Sequence, residues 1–222
     1  ELQSSVKCVY GESFNAYRYL DRFFDLKIPL PKADMSKYFS SIEFDKNNYV
    51  FDGVCHKFME KYNFQLRDIS KYARYLKMTT YNSAHNGGSA YCPDEVGYRF
   101  CLQCLTPIIV GLFVYDITMY NKFINGYDSS PLTELLADGE IGKFFFRSML
   151  ANGETYDEHT LITRESKLNE LYDAIFNTNY DNGIYVKTIG NISIEKDTKE
   201  YLLNIINLLS NEAHKSWKVD DE

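Results

Sequence analysis

Apolar residues recur every three or four positions along most of this chain, and the period changes clearly in only two places. Leu2, Val6, Val9 and Tyr10 form a stripe that stops at Gly11, so residues 2–10 are expected as a helix with Gly11 at its C-terminal cap. Tyr19, Leu20, Phe23 and Phe24 predict a second short helix over 15–24. Over 25–30 the period drops to two. Leu26, Ile28 and Leu30 alternate with Asp25, Lys27 and Pro29, which predicts one short strand, and Pro29 and Pro31 place it at an edge or terminus.

Helical spacing then dominates. Asp34 or Ser36 can cap a helix that includes Tyr38, Phe39 and Ile42. Residues 49–62 carry Phe51, Val54, Cys55, Phe58 and Tyr62 on one face. Asn63 is a candidate cap for the next helix, whose face is Ile69, Tyr72, Ala73, Leu76 and Thr80. Residues 83–93 hold Asn86, Gly87, Gly88 and Pro93 and read as a loop and candidate boundary. Residues 100–124 are apolar nearly all round, so a buried long helix or tight pair is expected, kinked or divided at Pro107 or Gly111. Shorter helices are predicted over 131–136, 141–150 and 167–176, a small hairpin around Gly190-Asn191 near 184–194, and a last helix from Thr198 to about Lys215. The fold class that follows is mainly α.

Composition places this pattern in a globular protein. The chain has 222 residues, 45 % of them apolar and 25 % charged, which excludes a disordered chain. A net charge of −7 argues against a strongly basic nucleic-acid footprint. The most apolar run, 105–115, is about 11 residues before Asp116 and falls short of the ~20 of a membrane span, so a core helix and no membrane are expected. Five Cys, an odd number in a long chain, do not suggest a secreted disulfide framework, and a cytoplasmic setting fits better. The aromatics, 19 Tyr and 15 Phe against one Trp, are expected chiefly in core and boundary packing.

One stretch carries more specific information. The blocks Val9-Tyr10-Gly11-Glu12, Tyr19-Leu20-Asp21-Arg22-Phe23-Phe24-Asp25-Leu26 and Leu30-Pro31, followed by Leu66-Arg67-Asp68-Ile69-Ser70-Lys71-Tyr72 with Leu76-Lys77, resemble the KAP family of P-loop NTPases over about residues 1–80. The resemblance implies that residues 1–30 are the tail of an NTPase α/β core, 31–90 a helical lid and 91–222 a C-terminal helical domain. It also implies ATP and Mg²⁺ as cofactors of the full-length protein, and bacterial relatives that act in defence against phage.

The phosphate-binding signature G-x-x-x-x-G-K-[ST] does not occur in this chain. Gly87-Gly88 runs into Ser89-Ala90 with no Lys, and Gly190-Asn191 lacks the motif as well. The P-loop core is therefore expected upstream of Glu1, this chain alone is expected to hold no cofactor and no catalytic residue, and its partners are the missing core together with a protein partner or further copies of itself. By resemblance Arg22 stands where an arginine finger would reach a neighbouring subunit's nucleotide, and Arg67 where a lid arginine would sense the γ-phosphate. The bland readings are a solvated or salt-bridged helix residue for Arg22 and an exposed basic residue for Arg67. Lys71, Arg74 and Lys77 continue Arg67 at steps of three and four, a basic face able to meet nucleotide, nucleic acid or an acidic partner, or merely water. Cys101-x-x-Cys104 lies inside an apolar helix and reads as buried structural cysteine rather than a redox or metal pair, with no metal site expected. The competing function is a stand-alone helical interaction module without catalysis.

Overall fold

A computed structural model describes residues 2–11, 15, 37, 49–85, 95–147, 160–178 and 186–204. The chain divides into two compact units, residues 1–34 and 35–222. In the first, α1 (Leu2–Tyr10) ends at Gly11, whose φ of +94° suits only glycine and whose N–H reaches the Lys7 carbonyl at 2.8 Å, as the cap predicted. Apart from Asn15 and Lys37, the helix expected over 15–24, the strand over 25–30 and the helix after Asp34 lie outside the described residues.

The second unit is mainly helical, with one antiparallel two-stranded sheet among the described residues. Its helices are α2 (Tyr49–Lys61), α3 (Leu66–His85), α4 (Glu95–Phe100), α5 (Thr106–Tyr115), α6 (Ile117–Ile124), α7 (Ser130–Leu136), α8 (Gly139–Phe145) and α9 (Leu161–Phe176), with a further helical stretch over 198–204. The hairpin pairs β1 (Val186–Ile189) with β2 (Ile192–Glu195) across Gly190-Asn191, with Gly190 at φ +59°.

The centre of the fold is α5. Every residue from Thr106 to Leu112 is buried, and α2, α3 and α6 pack around it. Helices α2 and α3 meet it with the stripes the spacing defines: Phe51, Val54, Cys55 and Phe58 from one, and Ile69, Tyr72, Ala73 and Leu76 from the other. Gly111 allows α2 to approach closely, because a Cβ there would stand 2.5 Å from the Phe58 ring. Aromatic rings fill the seam. Phe58, Phe64 and Tyr72 contact one another with centroids 5.5–6.0 Å apart.

Four expectations are corrected. Asn63 does not cap α3; it closes α2. Its φ is +49°, its N–H bonds the Glu60 carbonyl, and the Phe64 N–H reaches back to Met59, a Schellman ending in which Asn substitutes for Gly. The α3 N-cap is Gln65, whose N–H is accepted by the Asp68 carboxylate at 3.0 Å.

The 83–93 loop begins later than predicted, since α3 continues through His85. The long apolar run is divided at neither Pro107 nor Gly111. A π turn over Cys101–Leu105 carries the helix past Pro107, with the Thr106 N–H and hydroxyl both donating to the Cys101 carbonyl, five residues back. The break comes at Asp116, whose extended backbone and carboxylate cap α6 through the N–H groups of Thr118 and Met119.

The apolar helix is also longer than the 105–115 count suggested. Val96–Tyr115 is 20 residues long and apolar enough to cross a membrane by length and composition. In the fold, 67 % of its most apolar window is buried against its neighbours.

Candidate functional site

The sequence points to α3, and the structure gives it two unlike faces. Ile69, Tyr72, Ala73 and Leu76 are buried against α5, and the Tyr72 hydroxyl donates to the Pro107 carbonyl at 3.0 Å. The helix is held from behind. Its other face presents Arg67, Lys71, Arg74 and Lys77, all exposed, on about 15 Å of ridge at 1.5 Å per residue. Arg67 stands in the first turn, immediately after the Gln65–Asp68 cap.

What separates Arg67, Lys71 and Arg74 from other cations is their lack of anionic company among the described residues. Lys57 donates to the carbonyls of Leu135 and Asp138, and Arg164 Nε donates to that of Ala137 at 2.7 Å. Lys61 pairs with Glu134, Lys143 with Glu140 and Lys187 with Glu170. Among the described residues none of Arg67, Lys71 and Arg74 makes an ion pair. Lys71 and Arg74 instead lie over the same ring, each 5.7 Å from the centroid of Tyr75. Tyr75 is itself buried and contacts Phe113 at 5.9 Å, so the two charges share a fixed platform.

Arg67 also sits at the positive end of the helix macrodipole, where a cation is disfavoured by about 0.3–1 kcal/mol unless an anion joins it. This arrangement can receive a phosphate or a carboxylate: the guanidinium supplies a planar fork of donors and the ridge supplies charge. Arg22 lies outside the described residues.

The cysteines are placed differently. Cys55, Cys101 and Cys104 are buried and Cys8 is exposed. Burial drives the Cys55 and Cys104 thiols far above the ordinary thiol range, so neither is a ready thiolate. Among the described residues no three His, Cys, Asp or Glu side chains converge as a metal-binding group.

Sequence reasoning missed the pair Lys57 and Arg164, which converge on carbonyls at the end of α7 and in the turn to α8 from 27 to 81 residues away. No local spacing signals such a meeting. Comparison of the chain with family models, curated proteins and solved structures finds no match.

Proposed function

We propose that this chain is the lid and C-terminal helical region of a KAP-type P-loop NTPase, and that Arg67 reads the nucleotide's phosphates. The observation that carries this reading is Arg67, exposed in the first turn of a helix held from behind and without an ion pair among the described residues. ATP and Mg²⁺ would be held by a P-loop core outside this chain, which has neither the glycine-rich loop nor its lysine. A γ-phosphate within reach of Arg67 gives the lid an interaction that ADP cannot give. Differential contact of that kind is what a ligand needs in order to shift a conformational equilibrium.

The reading frame upstream of Glu1 tests this. A strand followed by G-x-x-x-x-G-K-[ST] in the same open frame is the expected result; a stop codon or an unrelated domain there would overturn it.

The second reading, a stand-alone helical interaction module, draws on a different observation. Leu66, Tyr115 and Ile117 are each about half exposed although all three are large and apolar.

A further inference from the structure

The cationic ridge and the exposed apolar residues are neighbours in the fold. Phe64, directly before α3, stacks on Tyr115 at the end of α5 with centroids 6.1 Å apart, and Tyr62 contacts the same Tyr115 ring at 4.7 Å. The start of α3 and the end of α5 therefore share one end of the bundle. Leu66 and Tyr115 are exposed there at 45 % and 48 %. From that end the ridge runs along α3 through Lys71 and Arg74 to Lys77.

Lys71 and Arg74 each lie 5.7 Å from the centroid of the Tyr75 ring, so an anion drawn to this part of the ridge is attracted to both. Aromatic and arginine side chains at a rigid, partly apolar patch are also the composition from which binding hot spots are made.

We propose that this end of the bundle and the α3 ridge form a docking surface for an acidic amphipathic segment of a partner protein, with an apolar anchor on Leu66 and Tyr115 and carboxylates along Lys71 and Arg74. Charge chooses the occupant. The whole chain carries −7, so a dense polyanion such as a nucleic-acid backbone meets repulsion from the surrounding surface within a Debye length of about 8 Å at physiological salt. A few carboxylates confined to the ridge meet mainly the cations beneath them. The apolar end would have no counterpart on a phosphate backbone.

This surface names the partner chemistry that the lid reading leaves open. It rests on Lys71, Arg74 and Leu66 rather than on Arg67, so the two readings fail separately.

The test uses the full 222-residue chain and a dye-labelled synthetic helical peptide bearing Leu at steps of three and four and Glu on the adjoining positions. A copy of the peptide with Lys for each Glu and a 12-nucleotide single-stranded DNA serve as comparison probes, all read by fluorescence anisotropy. The Glu peptide is expected to bind, and to bind at least tenfold more weakly to the double variant Lys71→Gln/Arg74→Gln and to Leu66→Ser. Raising NaCl from 50 to 300 mM should weaken it further. All three replaced side chains are exposed, so the variants should keep the wild-type circular dichroism and melting curve. Equal binding of the Lys peptide, undiminished binding by the folded double variant, tighter binding of the DNA, or no binding of the Glu peptide by the wild type would each overturn the proposal.

Discussion

At Tyr72 a single hydroxyl serves two neighbours. It donates to the Pro107 carbonyl on α5 and is hydrogen-bonded to the Cys55 thiol on α2, so three helices share one buried polar chain. Tyr72→Phe keeps the ring's packing on Phe58 and Phe64 but leaves the thiol without that partner and deprives the carbonyl of a donor. An unsatisfied buried group costs about 1–3 kcal/mol, and urea unfolding should show a loss in that range with an unchanged slope. A loss near zero would mean that the hydroxyl contributes no net stability.

Asn63 makes a related point. Its side chain fits a helix N-cap as well as a left-handed turn, and the sequence alone cannot choose. The choice follows from Phe64, whose ring reaches Phe58 and Tyr72 only if the chain turns sharply after Tyr62.

Among the elements, the loop joining α7 to α8 depends on side chains from elsewhere. The last carbonyls of α7 have no partner within their own helix. Lys57 from α2 takes that of Leu135 and also the carbonyl of Asp138 at the start of α8, and Arg164 from α9 takes that of Ala137, the C-cap of α7. Placing cations at the C-terminus of α7 also matches its dipole. Arg164→Met should retain the stem's packing, lose the hydrogen bond and destabilise the fold by about 1–3 kcal/mol in urea unfolding. The Asp138 carboxylate 3.8 Å away is largely exposed and should matter little, so Asp138→Asn is expected to remain close to wild type.

Elements whose signals are local could be read from the sequence. The Gly11 cap, Pro131 in the first turn of α7 and the Gly190-Asn191 hairpin all came from neighbouring residues. The start of α9 did not. Leu161 and Ile162 are exposed, so they extend no buried stripe, and the helix begins six residues before the predicted 167 because the Thr160 hydroxyl accepts the Thr163 N–H. The π turn was equally hidden, since five residues of ordinary apolar helix do not reveal that Pro107 downstream requires a wider turn.

Over the whole molecule, burial of phenols and thiols sets the response to base. Burial pushes Tyr62 and Tyr172 up to about 12, Tyr72 well above 10, and the Cys55 and Cys104 thiols upward as well. A raised folded-state value means that stability is fully present below the unfolded values of 9.0 for thiol and 10.0 for phenol, and is lost as pH climbs through the folded ones. Lys57 and Lys61 are lowered by burial and act in the opposite sense, but both remain largely solvated and weigh less. The urea midpoint should hold to about pH 9 and then fall steeply toward pH 12. A midpoint unchanged at pH 11 would contradict this account of the core.

At the same scale, the candidate site was half legible. Spacing alone placed Arg67, Lys71, Arg74 and Lys77 on one face of α3, because a helix maps sequence steps directly onto a surface. The sequence could not reveal that Tyr75 underlies two of them or that carboxylates pair with other cations instead, since those facts depend on tertiary neighbours.

The central claim is the proposed role of Arg67, and ATP turnover by a protein that joins this chain to the P-loop core we propose for it tests that claim most directly. Arginine contacts on a transferring phosphoryl group are worth factors of 10³ or more in related chemistry, so Arg67→Ala is expected to lower turnover by at least about tenfold while leaving the fold intact. Turnover equal to wild type in the folded variant would contradict the account.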